Sequence, residues 1–377
     1  MSNKNIIKPI YLKYSKNIFK PGETKFLYNQ LNLDKPINIF IVTTPSQMFS
    51  AIEAQAYFKT KNNLLIVPLF VIRDGKRVNQ IFELTKYFPY DALITYQNSN
   101  VDVNLSFIPF LKKLKTFNVN SLFIGYNTIL YRRMVANIDS KEYWFIDDGT
   151  LTFTIHEEQF NKKHGLNKKR NKSDYLIFFK DKLKDKLIYS FYGLKEDTPI
   201  KHLNFFTMFN LKPYGNEQII QHNFNQLKHL FLEESIKDNH IYILGQPWCE
   251  ISEMKPSEYK SFLKKIILHY PDKSIRYIPH FLESEKNGIE VYLSSFANVE
   301  YYIIEQPVEL FFLYNHVIPN KVIGFVTTAL FTLKKLFPKA KVLAYNFDTS
   351  MLSKFHQNNI KVIRKYYANE NIQFLED

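Results

Sequence analysis

The chain has 377 residues, 45% of them hydrophobic and 16% aromatic, so it can bury a large apolar core and is not an intrinsically disordered protein. Its length favours two domains over one. Lysine and arginine number 50 against 36 aspartates and glutamates, and the formal net charge of +14 favours anionic partners: phosphorylated small molecules, nucleic acid or an acidic membrane surface.

The cysteine content and the hydropathy pattern indicate the cellular compartment. A single cysteine, Cys249, excludes an internal disulfide and fits a reducing compartment. No histidine and cysteine cluster has the spacing of metal ligands, so no metal site is predicted. There is no signal-peptide core and no run of about 18 uncharged apolar residues. We therefore expect a cytoplasmic protein, soluble or peripheral at the inner face of the cytoplasmic membrane.

The first part of the chain alternates strands with helices. Apolar runs and periodicity predict strands over 37–43, 64–72, 92–96, 121–125 and 143–146, separated by helices over 45–58, 78–87, 107–117 and 127–136. Thr44, Pro45 and Gln47 mark the start of the first helix with a capping box and a proline at the first helical position. The alternation is typical of a parallel sheet.

Residues from about 155 to 235 break this alternation. A basic run is followed by an aromatic cluster: Lys162, Lys163, His164, Lys168, Lys169, Arg170 and Lys172, then Phe205, Phe206 and Phe209. We interpret the region as an elaborated connection between two domains. The basic run is either a solvated loop or a contact for acidic lipid or glycolipid phosphates.

Alternation resumes in the second part of the chain. The pattern predicts strands over 240–244, 275–279, 301–304, 322–326 and 341–345, with helices over 256–269, 307–314 and 328–336. The fold class is therefore α/β, with two doubly wound parallel-sheet domains in tandem. We place the first domain at 1–235, including the connection, and the second at 236–348. The last segment, 349–377, is predicted to begin with a helix. Whether it packs back on the first domain is left open by the sequence.

The most informative polar stretch is Asp147-Asp148-Gly149-Thr150, which directly follows the apolar strand 143–146. It falls where a strand leaves the sheet, the edge at which open α/β sheets bind ligands. The pair Asp147 and Asp148 is the candidate catalytic base, and Gly149, Thr150 and the strand-end residue Thr44 are candidate substrate-binding residues. The alternative is turn chemistry and a helix cap without catalysis.

The second domain has its own set of polar strand ends. Pro279 and His280 end one strand, Glu305 ends another, and Thr327 and Thr328 end a third where a helix begins. Hydroxyls and free amides at a helix amino terminus form a phosphate site, to which a nearby histidine can donate. The sequence contains neither a GxGxxG nor a GxxxxGK[ST] motif, so the usual NAD site and a P-loop are disfavoured. The alternative readings are a half-buried histidine and a simple helix cap.

Five short motifs resemble those of the bacterial sialyltransferases of glycosyltransferase family 52, in the same order and spacing. They are Ile146-Asp147-Asp148-Gly149-Thr150, Ile243-Leu244-Gly245-Gln246-Pro247, Tyr277-Ile278-Pro279-His280, Tyr302-Ile303-Ile304-Glu305, and residues 327–334 with Phe337-Pro338. The resemblance spans roughly residues 37–345.

The resemblance implies a GT-B fold, with two Rossmann-like domains facing a central cleft. The first domain would bind the acceptor and the second CMP-sialic acid, with no cofactor and no metal. An inverting transfer would move sialic acid to a terminal galactose or N-acetylgalactosamine of a surface glycan or lipooligosaccharide. The base would be Asp147 or Asp148, while His280, Thr327 and Thr328 would stabilise the leaving CMP. Gly245, Gln246 and Pro247 would line the donor site. Glu305 would either hold the cytidine ribose or base or simply accept a hydrogen bond from a backbone amide.

Two positions depart from the family pattern. His280 is followed by Phe281 instead of proline, and Trp248 stands where some members have an acidic base. The nearest acidic residue is Glu250, which we keep as a further candidate base. The sequence leaves open whether the chain forms a homodimer and whether it contacts an anionic membrane.

Two other functions remain as alternatives. A glucosyltransferase of lipooligosaccharide would keep the fold and change the donor. A nonenzymatic binder of nucleic acid or an acidic glycan would use the net charge of +14 and would lose affinity steeply with salt. No nucleic-acid-binding motif supports the second, and we expect no nucleic-acid partner.

Overall fold

The computed structural model describes residues 24–68, 75–96, 103–125, 129–160, 183, 185–195, 203–231 and 235–375. These residues form two α/β units, each built on its own sheet. The basic run predicted at Lys162 to Lys172 lies outside the described residues. Among the residues described, no helix is both long and apolar enough to cross a membrane.

The first sheet has eight strands, and seven of them are parallel. They are β1 (Thr24–Asn29), β2 (Ile37–Ile41), β3 (Asn63–Pro68), β4 (Ala92–Tyr96), β5 (Val119–Ile124), β6 (Ser140–Ile146), β7 (Asn204–Thr207) and β8 (Ile219–Gln221), in the order β1-β4-β3-β2-β5-β6-β7-β8. Only β1 runs antiparallel, against β4. Strand β3 is buried along its whole length, as a run of apolar residues without alternation requires when helices cover both faces.

Six helices belong to this part of the chain among the labelled elements. They are α1 (Pro45–Phe58), α2 (Gly75–Thr85), α3 (Val103–Lys115), α4 (Ile129–Asn137), α5 (Leu151–Phe160) and α6 (Asn225–Phe231). The predicted cap of α1 is present, because the Thr44 side chain accepts a hydrogen bond from Gln47 N at 3.2 Å. The helix ends at Lys59 in the left-handed conformation, with φ of 51°.

The region 155–235 differs from the predicted elaborated connection. It begins inside helix α5 and later supplies β7, β8 and α6, so it extends the first sheet. The predicted aromatic cluster provides the core of this extension, since Phe205 and Phe206 lie in β7 and are fully buried. These strands have only three and four residues, too few for a periodic pattern to be visible in sequence.

The second sheet is parallel throughout. Its strands are β9 (Ile236–Leu244), β10 (Ile275–Ile278), β11 (Val299–Tyr301), β12 (Val317–Gly324), β13 (Lys341–Tyr345) and β14 (Gln373–Leu375), in the order β11-β10-β9-β12-β13-β14. The helices are α7 (Pro256–Leu268), α8 (Ile289–Leu293), α9 (Val308–Tyr314), α10 (Thr328–Leu336) and α11 (Lys354–Asn369), with a 3-10 turn at Glu285–Asn287. The two predicted doubly wound domains are therefore present.

The last segment contacts both units. Helix α11 brings Tyr366 onto Phe153 of α5, with stacked rings 3.8 Å apart, and β14 then joins β13 in the second sheet. Glu370, just after α11, accepts a hydrogen bond from Asn210 N in the first unit at 3.0 Å. One buried apolar cluster continues from the first sheet onto one face of the second, so the units share a core.

Each sheet reverses its strand order once. In the first sheet the chain goes from β2 to β3 and β4 on one side and then to β5 and β6 on the other; in the second, the same reversal separates β9 from β12. At such a reversal the loops after the two central strands diverge and leave a crevice, which is where doubly wound sheets bind ligands. We call the space between the two carboxyl edges the cleft.

Candidate active site

Asp148 lies at the carboxyl end of β6, on the first-domain side of the cleft. Its Oδ1 accepts hydrogen bonds from Gln47 Nε2 at 2.8 Å and from the Thr44 hydroxyl at 3.4 Å. Thr44 and Gln47 belong to the capped start of α1, which follows β2 at the strand-order reversal. Within the described residues, both bonds fall on Oδ1. The carboxylate is therefore held through one oxygen, and the side chain is half-buried.

Gln47 is fully buried and all its hydrogen-bonding capacity is used. Its Oε1 accepts from Thr43 N at 2.6 Å and from the Thr43 hydroxyl at 3.1 Å, while Nε2 also donates to Gly125 O at 3.0 Å. A Cβ on Gly125 would lie 2.4 Å from Gln47 Cγ. Glycine after β5 is therefore required for Gln47 to reach Asp148.

Burial makes Asp148 a stronger base than an ordinary aspartate. It raises the pKa of the carboxyl to about 6, although the hydrogen bonds from Gln47 and Thr44 and the positive charge of Arg77 act in the opposite direction. A group with a pKa of about 6 is ionised at neutral pH and still accepts a proton readily. Asp148 has the properties of a general base.

Asp147 has a different environment from its neighbour. Its side chain is 1% exposed and accepts hydrogen bonds from the Thr152 hydroxyl, the Thr207 hydroxyl and Met208 N, at 3.2, 2.6 and 2.6 Å. His222 Nε2 lies 3.4 Å away. Asp147 thus ties the loop after β6 to β7. The sequence singled out the two aspartates as one unit, whereas the structure separates them into a core residue and a cleft residue.

Gly149 and Thr150 form one of the contacts between the two domains. Gly149 has a φ of +61°, and a Cβ on it would lie 2.5 Å from Thr328 Oγ1. Thr150 N donates a hydrogen bond to the same oxygen at 3.1 Å. The close approach of the loop to the second domain therefore depends on a residue without a side chain, in a left-handed conformation that glycine tolerates best.

The amino terminus of α10 lies at this contact. Thr327 is the cap, and its side chain accepts from Ala329 N at 3.3 Å. Thr328 Oγ1 accepts from Thr150, so its hydroxyl hydrogen can donate elsewhere. A helix amino terminus with hydroxyls and outward amide groups favours an anion such as phosphate.

His280 follows β10 at the same edge of the second sheet. Its Nδ1 accepts a hydrogen bond from Leu282 N at 3.2 Å, which assigns the ring hydrogen to Nε2. Burial lowers the pKa of His280 to about 4, with Glu250 opposing the shift and Arg77 contributing to it. At neutral pH His280 is therefore a neutral donor through Nε2.

Glu283 holds the His280 loop in place. Its carboxylate accepts from His280 N at 2.7 Å and from the Tyr277 hydroxyl at 2.6 Å. A Cβ on Gly245 would lie 2.0 Å from Glu283 Oε1, so Gly245 makes room for this carboxylate. Burial raises the pKa of Glu283 to about 8. Gly245, which the sequence predicts in the donor site, thus leaves space for Glu283, a residue that sequence reasoning missed.

Of the other predicted residues of the second domain, Glu250 contacts this loop directly. Glu250 Oε1 accepts from Ser284 N at 2.8 Å and from Asn287 Nδ2 at 2.6 Å, a loop-holding arrangement. Gln246 N donates to the Tyr259 hydroxyl at 2.9 Å. The remaining positions are Pro247, whose carbonyl accepts from Ile251 N; Pro279, half-buried before His280; and Glu305, exposed, whose carbonyl accepts from Gln80 Nε2 at 2.9 Å.

Arg77 on α2 is a cation of the cleft that the sequence did not single out. Its guanidinium lies 5.3 Å from the centre of the Phe281 ring, across the domain boundary. Its charge acts on both Asp148 and His280, so it lies within electrostatic range of both halves of the site. An arginine in the first turn of an amphipathic helix is not recognisable as a site residue from sequence. Its place in the cleft is seen only in the contact between the two domains.

No group of three or more histidine, cysteine, aspartate or glutamate side chains in the described ranges has a metal-binding arrangement.

No protein-family model and no curated protein matches the sequence. Solved structures match over most of the chain. S. aureus MnaA, in a structure with UDP, is 11% identical, with 90% of this chain and 91% of MnaA covered and a TM-score of 0.50. The UDP-GlcNAc 2-epimerase from Neisseria meningitidis bound to UDP-GlcNAc is 13% identical over 90% and 94%, with a TM-score of 0.44. The spinosyn rhamnosyltransferase SpnG with thymidine diphosphate is 12% identical over 89% and 92%, with a TM-score of 0.41.

The fold is GT-B. The MnaA match and the two facing doubly wound sheets agree on this, as the sequence predicted. At these identities the likeness extends to the fold alone, and TM-scores below 0.5 add no weight. The substrates of the matched proteins are therefore not transferred to this GT-B protein by similarity.

The resemblance to sialyltransferases of family 52 was wrong. Solved structures of similar fold include UDP-GlcNAc 2-epimerases and GT-B glycosyltransferases, and no family model matches the sequence. Three of the motifs behind the resemblance run from the buried end of β6, β9 or β10 into the polar turn that follows, the fourth lies just after β11, and the fifth is the start of helix α10. Every parallel sheet needs such segments at regular spacing, so five of them in register can arise from the shared architecture.

Proposed function

We propose that this GT-B protein is a nucleotide-sugar-dependent glycosyltransferase, with Asp148 as its general base and the start of α10 as its phosphate site. The observation that carries the proposal is the 3.1 Å hydrogen bond from Thr150 N to Thr328 Oγ1. It holds the loop of a carboxylate base directly against a helix end suited to an anion. A transferase needs these two elements on opposite sides of the bond that it breaks.

The second-domain side supplies donors for a leaving phosphate. At the start of α10, Thr327 and Thr328 provide hydroxyls and backbone amides, and His280 carries a hydrogen on Nε2. Arg77 adds a fixed positive charge from the first domain. Preorganised donors of this kind stabilise the negative charge that develops on the nucleotide phosphate as the glycosidic bond breaks.

The first-domain side supplies the base. An acceptor hydroxyl oxygen attacks the anomeric carbon, the bond from that carbon to the phosphate oxygen breaks, and the hydroxyl proton moves to Asp148. The nucleotide leaves with the electron pair of the broken bond. A single displacement of this kind inverts the configuration at the anomeric carbon. The pKa of about 6 keeps Asp148 ionised at neutral pH and close to the operating range.

The experiment that tests the proposal measures nucleotide binding and donor turnover together. Calorimetry with UDP, TDP, ADP, GDP and CMP identifies the nucleotide, and release of that nucleotide from its sugar conjugates is followed with and without acceptor glycans; CMP-sialic acid is one of the conjugates. Thr328→Val should weaken nucleotide binding about tenfold to 100-fold, the effect of losing a hydrogen bond to a charged group. Thr116→Val, at an exposed threonine after α3, is the matched control and should leave binding unchanged.

The outcomes separate the possible activities. Acceptor-dependent nucleotide release supports the transferase. Acceptor-independent conversion of the sugar, with solvent deuterium entering it, identifies a nucleotide-sugar epimerase, since the same carboxylate can remove a proton from carbon. Absence of binding to all five nucleotides contradicts both enzymes and leaves the glycan-binding alternative.

A further inference from the structure

An amphipathic surface lies on the first domain, away from the cleft. It consists of Leu183, the helical segment 185–191, residues 192–195 and the last turn of α3. We call it the amphipathic patch. Helix α3 leaves the carboxyl end of β4 and ends before the amino end of β5, so its last turn lies at the sheet edge opposite the cleft. A partner bound there leaves the candidate active site open.

The inner side of the patch is firmly attached to the domain. Tyr189 and Leu194 are buried, and Asp185 forms an ion pair with Arg133 of α4 at 2.6 Å. Asn137 at the end of α4 donates to Lys195 O at 2.6 Å. The segment is therefore a packed element with one buried face.

The outer side presents large apolar side chains to solvent. Leu183, Leu187 and Phe191 are 52%, 64% and 84% exposed, and their spacing of four residues places them along one side of a helix. Tyr192 extends the same exposed side. A contiguous apolar stripe opposite a buried face is unusual on a protein surface without a partner.

Lysines border this stripe. Lys112 Nζ lies 4.8 Å from the centre of the Tyr192 ring, and Lys115 Nζ donates to Gly193 O at 2.6 Å. Lys113, Lys186 and Lys195 are also exposed around it. The acidic group of the segment, Asp185, is already paired with Arg133, so the border is strongly positive among the residues described here.

We propose that the amphipathic patch docks on the surface of an anionic phospholipid bilayer. Phe191, Leu187 and Leu183 would enter the interfacial region, while the lysines bind phosphate headgroups. Apolar insertion combined with a basic border is the composition by which helices lie on acidic membranes. The net charge of +14 adds long-range attraction. A second copy of the chain fits the patch poorly, because a symmetric contact brings lysines against lysines.

The test is co-sedimentation of the full chain with vesicles at physiological salt. Vesicles of phosphatidylcholine with phosphatidylglycerol should bind the protein, and vesicles of phosphatidylcholine alone should bind it far less. Lys112→Gln with Lys115→Gln should lower the partition coefficient about 30-fold, from the contribution of each lysine near an anionic surface. Phe191→Ser should lower it about tenfold to 100-fold through the lost apolar insertion.

Matched controls come from the second domain. Phe355 is 68% exposed and, like Phe191, has an edge contact with the next ring in the chain, so Phe355→Ser tests a general loss of apolar surface. Lys264→Gln with Lys361→Gln removes the same charge from exposed positions of α7 and α11. Both controls should keep binding within about twofold. Thermal melts by circular dichroism check that every variant is folded.

Three results would overturn the proposal. The first is no binding of the wild type to acidic vesicles. The second is equal loss of binding in the patch and control variants, which means attraction by net charge alone. The third is a dimer in analytical ultracentrifugation that Phe191→Ser abolishes, without lipid binding, which assigns the patch to self-association. None of these results bears on nucleotide binding in the cleft.

Discussion

The two sides of the cleft present their functional groups in different ways. On the first-domain side, Asp148 is fixed by neutral donors from α1, and those donors are themselves fully hydrogen-bonded. On the second-domain side, His280 and the start of α10 lie on a loop and a helix end that face the cleft. In the proposed reaction, the first arrangement would provide a single base, whereas the second would provide several donors to one anion. Mutations should therefore have unequal effects on the two sides.

The largest effect is expected for Asp148→Asn. Asparagine keeps the shape of the side chain and can still accept from Gln47 Nε2, but it cannot take up a proton. Turnover should fall about 100-fold to 10,000-fold, the usual contribution of a general base. Nucleotide affinity measured by calorimetry should stay within about twofold, because the phosphate donors are untouched.

Asp272→Asn, at an exposed aspartate of the second domain, controls for the loss of a negative charge. Retention of full turnover by Asp148→Asn would move the base elsewhere. In that event Glu250 and Glu283 become the groups to test next.

Asp147→Ala should affect folding instead of chemistry. The substitution leaves the Thr152 and Thr207 hydroxyls and Met208 N without their buried acceptor. The free energy of unfolding should fall by about 3 kcal/mol or more, since each buried donor left unpaired costs about 1–3 kcal/mol. Chemical denaturation measures this fall, with Asp272→Ala as the control. A variant with normal stability and no turnover would place Asp147 in the reaction.

His280→Ala tests whether several second-domain donors together stabilise the leaving phosphate. Loss of one hydrogen bond to a charged phosphate should lower kcat/KM about tenfold to 100-fold, less than the loss of the base. Because the pKa of His280 is about 4, the ring stays neutral from pH 5 to pH 8, so the ratio of variant to wild type should be constant over that range. A ratio that changes near pH 6 would show that His280 contributes in its protonated form. His269→Ala, at an exposed histidine after α7, is the control.

The parts of this protein that sequence predicted are those with local causes. Helices α1 and α10 begin and end at the predicted residues, because caps at Thr44 and Thr327 fix their starts. The polar strand ends at Asp148 and His280 were found for the same reason: a polar turn after a buried strand is visible in a single segment.

The parts that were missed depend on contacts between distant segments. Gln47 and Asp148 are 101 residues apart, and Gln47 looked like a capping residue only. Arg77 becomes a cleft residue only when α2 meets Phe281 of the other domain. Strands β7 and β8 are too short for periodicity. The family assignment failed for a related reason, since its motifs were local turns and the identity of a donor is set by the assembled pocket.

The smallest effect should appear in the pH profile of Gln47→Met. Methionine has a similar volume and cannot donate to Asp148. The Gln47 hydrogen bond lowers the pKa of that carboxyl, so its removal should raise the pKa above about 6. Asp148 is active when ionised, and therefore the acid limb of the kcat/KM profile should move to higher pH. At pH 6 the variant should lose about sevenfold in rate, the effect of losing about 1.5 kcal/mol of stabilisation of the anion, and at pH 8 it should approach the wild type.

Gln55→Met on the same helix is the matched control for Gln47→Met, since Gln55 donates to Thr60 O at the far end of α1. Its profile should superimpose on that of the wild type. Two results would contradict this: a shift of the acid limb of Gln47→Met to lower pH, or an equal loss of rate at pH 6 and pH 8. Either would mean that Gln47 positions the loop after β6 and does not lower the pKa of Asp148. The first-domain side would then resemble the second, where position and not basicity determines the contribution of each group.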